Sequence, residues 1–295
     1  MYRSLIDARP FVLAVVLAAC SSSKDPFAAG NDANGSGSSG GDANGSVDAP
    51  AAPHACVPAP KRIVILGDSI TACSVIGGPT GADCISKQFS DYVIANYGPG
   101  ATYENKAVGG AVLNDIAGQL AGVSNAQGPT LVMMFIGGND LAPYIFMSDT
   151  QAMDAWTGTV EPKLQAVYDA TFATLADQSK FPGGATLLMN TQYNPFDDCA
   201  AGPYNVSLQK SAILGQFNQK IVDISNAHAA ASIVVDQHTK FLGHGHCYQQ
   251  TSCPHYMANA APYMQDLIHA NAAGNAVLSS VDNAAADRLY RDCTH

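Results

Sequence analysis

The stretch RIVILGDSIT, residues 62–71, begins with a short run rich in β-branched residues and passes directly into a polar turn that contains glycine. A continuous apolar run of this length is typical of a strand covered by helices on both faces of a parallel sheet. In open parallel sheets, ligands bind beyond the carboxyl ends of the strands. The stretch therefore predicts a buried strand with functional side chains immediately after it.

From about residue 57 onward the chain alternates between short β-branched runs and longer helical patterns, which indicates one α/β domain built on a parallel sheet. Strands are predicted at Arg62–Leu66, Thr102–Ala107, Leu131–Ile136, Thr186–Asn190 and Ile233–Asp236. Helices are predicted at Ile85–Tyr97, Val112–Ala121, Thr150–Gln178, Ser207–His228 and Ala273–Arg291. The helical spacing of Ile213, Phe217, Ile221 and Ile224 predicts a core-facing stripe.

Three further polar segments lie where functional side chains are expected. One runs from Asn105 to Gly110 after the second predicted strand, one is the Gly-Gly-Asn-Asp sequence at 137–140 after the third, and one runs from Asp266 to His269 near the C-terminus. Each has an ordinary structural interpretation, because Asp and Ser cap helices, glycine pairs form turns, and a lone His is more often structural. Their occurrence together, in this order, favours a functional site.

These segments resemble the four motifs of the SGNH (GDSL) hydrolase family, which here are Gly67-Asp68-Ser69, the Gly after Asn105, Gly137-Gly138-Asn139-Asp140 and Asp266-x-x-His269. The resemblance implies an α/β fold, a three-layer α/β/α sandwich with a central parallel five-stranded sheet of the flavodoxin-like SGNH type. It also implies a serine esterase that hydrolyses carboxylic esters of short or medium acyl chain, of lipids or acetylated carbohydrates, through an acyl-enzyme on Ser69.

The family's residue roles carry over to positions of this chain that match its motifs. Ser69 would be the nucleophile, His269 its base and Asp266 the group that orients the imidazole, because a serine hydroxyl needs an adjacent oriented base. The oxyanion hole would be formed by the backbone N–H groups of Ser69 and Gly110 and by the side-chain amide of Asn139. This chemistry requires no cofactor and no metal ion.

Two features differ from the family's usual pattern. Ala270 follows the His where the family often has Pro, which matters little if Asn271 caps the following helix. Of the two adjacent glycines after the second strand, the family's spacing from Asn105 selects Gly110. The second difference is the length of two segments, where the family usually has small insertions. The segments 194–203 and 237–262 are long and carry Cys, so they are predicted to form the rim of the cleft and to influence specificity.

The N-terminal part of the chain has the composition of an export signal followed by a linker. Residues 1–20 contain an unbroken apolar run, 11–19, which ends in Leu-Ala-Ala-Cys, a sequence that resembles a bacterial lipobox. This predicts an exported protein of the cell envelope that is lipid-anchored at Cys20; the alternative is a plain secretory signal and a secreted protein. Residues 21–60 are predicted to form a disordered Gly/Ser/Asn/Ala-rich tether, and 61–295 the hydrolase domain.

The eight cysteines fit an exported protein, in which disulfides persist. If Cys20 carries lipid, an odd number remains for pairing. Cys73 with Cys84 and Cys247 with Cys253 are close in sequence, and Cys56 with Cys293 could join the ends of the folded part. Cys199 is then left over unless it pairs with Cys247 or Cys253, and the sequence leaves these alternatives open.

The charge balance restricts the possible partners. The net charge is −10 with 14 Lys and Arg residues, so no nucleic-acid partner is expected, because phosphate binding needs a basic surface. The expected partner is a small-molecule ester, the only membrane contact is through lipidated Cys20, and the protein is expected to be a monomer.

Two other interpretations remain open at this point. His238, His244, His246 and His255 lie near Cys247 and Cys253, an arrangement that can bind zinc, although a surface loop held by a disulfide is the preferred interpretation. The chain could also be a non-catalytic cell-surface binding lipoprotein on the same fold. The intact set of Ser69, His269, Asp266 and Asn139 argues against that second interpretation.

Overall fold

The computed structural model describes residues 55–125, 128–200, 204 and 206–293. The predicted signal peptide, the lipid attachment at Cys20 and residues 21–54 of the predicted tether lie outside the described residues. The last residues of the predicted tether are bonded to the C-terminal helix. Cys56 forms a disulfide with Cys293, and the N–H of Val57 donates to the carbonyl of Leu289 (3.3 Å).

The predicted parallel sheet is confirmed, with five strands in the order β2-β1-β3-β4-β5. The strands are β1 Arg62–Gly67, β2 Thr102–Asn105, β3 Thr130–Phe135, β4 Ala185–Asn190 and β5 Ser232–Val235. All residues of β1 and β3 are buried, as their apolar sequences predict. β2 ends two residues earlier than predicted, because the side chain of Asn105 accepts the N–H of Ala107 (2.9 Å) and turns the chain.

Helices cover both faces of this sheet, which confirms the predicted three-layer sandwich. They are α1 Ile85–Asn96, α2 Ile116–Ala121, α3 Gly138–Leu141, α4 Asp149–Ala155, α5 Glu161–Leu175, α6 Leu208–Ala227, α7 Gln237–Phe241 and α8 Ala272–Tyr290. Successive residues of β1 point to opposite faces: Ile63 belongs to the core with α1 and α8, and Val64 to the core with α5 and α6. Within the described residues, no helix combines the length and apolarity that a membrane span requires.

The single helix predicted at 150–178 is interrupted. A π turn at Trp156–Val160 separates α4 from α5, which begins at Glu161 with Pro162 next to it. Proline has no backbone N–H to donate to the carbonyl four residues earlier, and its ring crowds that carbonyl, so the wider turn accommodates it. The helix predicted at Val112–Ala121 begins with a 3₁₀ turn, Leu113–Asp115, and continues as α2. The short helices α3 and α7 and the 3₁₀ segment Ala142–Phe146 were not expected from the sequence pattern.

Three disulfides are formed among the described cysteines. Cys56–Cys293 and Cys73–Cys84 are the pairs that the sequence suggested. Cys199 pairs with Cys253, which is one of the alternatives left open, in place of the sequence neighbours Cys247 and Cys253. The Sγ atoms of Cys199, Cys247 and Cys253 lie within 4.8 Å of one another, so folding brings two distant loops together at this point.

Candidate active site

The turn that follows β1 has a backbone conformation that only glycine accommodates. Gly67 has a φ of +143°, and a Cβ built there would lie 2.2 Å from the carbonyl oxygen of Phe135 on β3. The side-chain amide of Gln119 binds the same residue twice: Oε1 accepts the N–H of Gly67 (2.8 Å) and Nε2 donates to its carbonyl (2.7 Å). Ser69, two residues later and 8% exposed, is therefore held at the carboxyl edge of the sheet.

The structure brings the three predicted catalytic residues together across 200 residues of sequence. Ser69 Oγ lies 2.8 Å from Nε2 of His269, and Nδ1 of the same ring lies 2.9 and 2.8 Å from the two carboxylate oxygens of Asp266. A carboxylate only accepts hydrogen bonds, so Nδ1 carries the proton. Nε2 is then free to accept the hydroxyl proton of Ser69, which is what a general base must do.

The charge of Asp266 is maintained by its own loop. Partial burial raises the pKa of the Asp266 carboxyl, but the hydrogen bonds that it accepts outweigh this effect, and the pKa lies below its ordinary value. These bonds come from the backbone N–H groups of Ile268 (3.0 Å) and His269 (2.9 Å), both to Oδ1, and from the His269 ring. Asp266 is therefore ionised at neutral pH and stabilises a charged imidazolium next to it.

The loop that carries His269 is fixed by side chains that sequence reasoning did not identify. The hydroxyl of Tyr193, at the end of β4, donates to the carbonyl of Ile268. Nε2 of His246 lies 3.1 Å from the carbonyl of Leu267, an oxygen that can only accept, so the ring donates. Asn271 caps α8 by accepting the N–H of Gly274 (2.9 Å), which meets the condition under which Ala270 in place of Pro matters little.

The predicted oxyanion donors lie on segments that meet beside Ser69. The N–H of Val108 donates to the carbonyl of Gly67 (3.1 Å), which places the turn with Gly110 (φ +79°) against the end of β1. Nδ2 of Asn139 donates to the carbonyl of Ala111 (2.9 Å), one residue after Gly110. An amide nitrogen has two N–H groups, and this hydrogen bond uses one of them.

Two buried carboxylates stabilise the turns around this site. Asp140 accepts the N–H of Leu113 (2.9 Å) and forms an ion pair with Lys163 (3.1 Å). Asp68 accepts the N–H of Ile70 (3.0 Å) in the turn that presents Ser69. Burial, with a smaller contribution from the negative charge of Asp140, raises the pKa of Asp68 to about 7. The sequence motifs contain both acids but give no indication of these partners.

A cavity of about 110 Å³ opens beside Ser69. Its lining includes Ser69, Gly138 and Asn139, and its apolar residues are Ile70, Leu141, Ala142, Tyr144, Ile145, Tyr193, Pro195, Phe196, Val206, Ile213, Leu214 and Ile268. Of the two predicted rim segments, the first contributes residues 194–196, whereas none of the lining residues belongs to 237–262. Ile213 belongs to the core stripe, as predicted, and also lines this cavity.

The segment 237–262 contacts the first rim segment instead. The carboxylate of Asp197 accepts the backbone N–H groups of Gly243 (3.0 Å), Gly245 (2.7 Å) and Cys247 (3.0 Å). Because residues 194–196 line the cavity, the second segment contacts the cavity lining only indirectly, through the first segment.

The four histidines of this segment make local contacts. Nε2 of His238 and Nε2 of His255 lie 3.5 and 3.6 Å from the Asp198 carboxylate, while His244 and His246 contact backbone carbonyls. Among the described residues, the ligand atoms grouped closely enough for a metal ion are those of Cys199, Cys247 and Cys253, and two of these form a disulfide. The histidines are thus not brought together as a metal site.

Comparison with known proteins agrees with this fold. The chain resembles, with a TM-score of 0.54 and 14% identity, a protein named as GDSL-like lipase from Parabacteroides merdae, over 80% of this chain and 100% of that chain. A catalytic mutant of an acetylxylan esterase from Geobacillus stearothermophilus is similar with a TM-score of 0.50 and 17% identity, over 81% of this chain and 99% of that chain. Among curated proteins, none matches the chain.

A parallel sheet with a serine, a histidine and a carboxylate in hydrogen-bond contact at its carboxyl edge defines an α/β hydrolytic enzyme. Residues 65–277 match the model of the GDSL-like lipase/acylhydrolase family, and the chain belongs to that family. The matched range includes the Ser69, Asn139 and His269 segments.

The raised pKa of Asp68 predicts a pH-dependent stability. A native pKa of about 7, against an ordinary 3.8, means that the native state binds this proton more tightly than the unfolded chain, so this carboxyl lowers stability as pH rises from about 4 to 7. Asp68→Asn keeps the acceptor for Ile70. The variant should be more stable than the wild type at pH 8, by on the order of 1–3 kcal/mol, and the difference should shrink toward pH 4.

Urea unfolding of both proteins at several pH values measures this difference. Other carboxyls titrate in both proteins and cancel in the comparison. Parallel stability profiles for the wild type and Asp68→Asn would contradict the raised pKa.

Proposed function

We propose that the protein is a serine esterase that hydrolyses carboxylic esters of short or medium acyl chain through an acyl-enzyme on Ser69. The observation that carries the proposal is the continuous contact from Ser69 through His269 to Asp266, with 2.8 Å between Ser69 Oγ and Nε2 of His269. Membership in the GDSL-like lipase/acylhydrolase family and the apolar cavity beside Ser69 support it.

In the first step, the hydroxyl of Ser69 attacks the ester carbonyl while Nε2 of His269 accepts its proton. The carbonyl π electrons move to the oxygen, which becomes an oxyanion, and Asp266 stabilises the imidazolium that forms. The N–H groups of Ser69 and Gly110 and the amide of Asn139 are the proposed donors to this oxyanion. Such donors are effective when they are fixed before the charge develops, and the bond from Asn139 to the carbonyl of Ala111 holds that side chain in place.

The oxyanion then collapses and expels the alcohol, which receives its proton from the imidazolium of His269. Water then attacks the acyl-enzyme in the same way, with His269 again as the base. The carboxylic acid is released, and the oxygen of Ser69 takes back its proton from the imidazolium of His269. Every proton passes through one nitrogen, Nε2, so the orientation that Asp266 imposes on the ring affects both halves of the reaction.

The three disulfides indicate an exported protein, because disulfides persist outside the reducing cytosol. We further propose that the protein is held in the cell envelope by lipid on Cys20. The lipobox-like sequence before Cys20 and the polar stretch after it support this proposal.

The direct test of the proposed function is Ser69→Ala. Loss of the nucleophile should lower kcat on p-nitrophenyl butyrate by about 10⁴-fold or more. A fluorophosphonate probe should label the wild type and not the variant. Labelling of Ser69→Ala at the wild-type level would remove Ser69 from this role. A wild type that neither reacts with the probe nor hydrolyses any ester would instead indicate a binding protein on the same fold.

The role of Asp266 predicts that Asp266→Asn has no higher kcat than Asp266→Ala. In Asp266→Asn, Oδ1 can keep the N–H groups of Ile268 and His269, so the new NH₂ group replaces Oδ2, the oxygen 2.8 Å from Nδ1 of the ring. It donates to Nδ1 and forces the ring proton onto Nε2, where it blocks the transfer from Ser69. The variant should lose up to about 10⁴-fold in kcat.

Asp266→Ala is the matched control. It removes the orienting group without imposing the wrong tautomer, so it should retain at least as much kcat on the same ester as Asp266→Asn, although Asn has the closer shape. An Asn variant clearly more active than the Ala variant would contradict the imposed tautomer, because the Asn amide would then be holding the ring in a productive form.

Lipid anchoring predicts the behaviour of Cys20→Ser. Without an acceptor for lipid, the protein should move from the membrane fraction of expressing bacteria to the soluble fraction, with unchanged esterase activity. Unchanged fractionation would reject the anchor and leave a secreted enzyme.

A further inference from the structure

The cavity beside Ser69 has walls that are held in a fixed relation. Leu141 and Ile145 line it from one segment, and Val206 and Leu214 line it from another, with Leu214 on α6. Two hydrogen bonds join the segments that carry these walls. Nζ of Lys210 donates to the carbonyl of Ile145 (3.2 Å), and the hydroxyl of Ser207 donates to Asp149 (2.6 Å). The cavity width is therefore set by the fold before a ligand enters.

The position of the cavity assigns it to one half of an ester. During the proposed reaction the leaving alcohol must lie against Nε2 of His269, since it takes its proton there. The cavity lining includes Ser69, Gly138 and Asn139, but His269 is not among the lining residues. A substrate carbonyl at Ser69 thus directs its alcohol toward His269 and its acyl group into the cavity.

The volume and chemistry of the cavity determine which acyl groups fit. An apolar protein cavity of about 150 Å³ holds benzene, a molecule of six carbons, so about 110 Å³ corresponds to about four carbons beyond the carbonyl. The wall residues Leu141, Ile145, Val206 and Leu214 offer aliphatic surface. The lining also includes the charged residues Asp68 and Lys210, and Nζ of Lys210 is bonded to the carbonyl of Ile145.

We infer that this cavity is the acyl site for unbranched aliphatic acyl groups of about four to six carbons, and that Leu214 and Ile145 set the length limit. The inference rests on the proposed esterase function and makes its substrate class specific. Each methylene buried in the cavity should raise kcat/KM about fourfold. Butyrate, with two more methylenes, should then exceed acetate by about 15-fold, and the gain should stop beyond about six carbons.

The experiment measures kcat/KM of p-nitrophenyl esters from acetate to decanoate for the wild type, Leu214→Trp and Leu208→Trp. Leu214→Trp fills the cavity, so the ratio of kcat/KM on hexanoate to kcat/KM on acetate should fall at least tenfold. Leu208→Trp is the matched control, because Leu208 begins the same helix but is 59% exposed and is not a lining residue. Its chain-length profile should equal that of the wild type.

Leu214→Ala tests the same site in the opposite direction. It removes three carbons from the wall, so the optimum should move two or three carbons toward longer esters. Ile145→Trp fills the cavity from the other wall and keeps the test valid if Leu214→Trp does not fold; labelling by a fluorophosphonate probe reports folding in each case.

The outcomes separate the inference from the function on which it rests. A wild type that prefers acetate, or a profile that none of the Leu214 and Ile145 variants changes, overturns the acyl site while esterase activity stands. A wild type that hydrolyses no ester in the series overturns the esterase function itself, and the acyl site with it.

Discussion

The backbone at Gly67 is the constraint on which the rest of the site depends. This residue lies so close to β3 that a side chain would overlap the carbonyl of Phe135, and Gln119 binds both its N–H and its carbonyl. The end of β1 is thereby fixed to its neighbours on two sides. Ser69 takes its position from that turn, and the histidine loop and the Asn139 segment are arranged around it.

The carboxylates in and around the site differ in the partners that stabilise their negative charge. Asp266 must be negative, and backbone N–H groups lower its pKa despite partial burial. Asp140 is paired with Lys163, and Asp197 receives three backbone N–H groups. Asp68 accepts a hydrogen bond from the backbone of Ile70, but its burial and, to a smaller extent, the negative charge of Asp140 raise its pKa to about 7. Of these four carboxylates, Asp266 is the one that contacts His269. It lies in the same loop as the histidine, and its pKa is below the ordinary value.

Much of this arrangement could be predicted from the sequence, because the sheet and the motifs are local patterns. β1 and β3 are apolar runs that end in Gly-containing turns, and a strand end fixes where the next side chain stands. The triad members were predicted by motif, and folding brings them into contact. A local pattern cannot show which residue, distant in sequence, a given side chain will contact. Gln119, Tyr193 and His246 are ordinary polar residues until the fold places them against Gly67, Ile268 and Leu267.

The same limit explains the differences at the cleft. The sequence predicted that the two long Cys-containing segments form its rim, but of these segments only residues 194–196 line the cavity. Other lining residues come from positions 141–145 and from α6. The stripe on α6 looked like core alone, since burial in a core and burial around an apolar cavity select the same side chains. The disulfide partner of Cys199 could not be assigned from the sequence. Folding brings the Sγ atoms of both Cys247 and Cys253 within 4.8 Å of its own, and the pair formed is Cys199–Cys253.

The disulfide between Cys56 and Cys293 has a topological consequence, because these residues lie at the two ends of the described domain. The polypeptide between them is a covalently closed ring that contains every residue of the site. A single proteolytic cut in any exposed loop of that ring opens it but releases no piece, since both new ends remain linked through the rest of the circle. In an exported protein, the first cut therefore breaks the chain without separating Ser69 from His269.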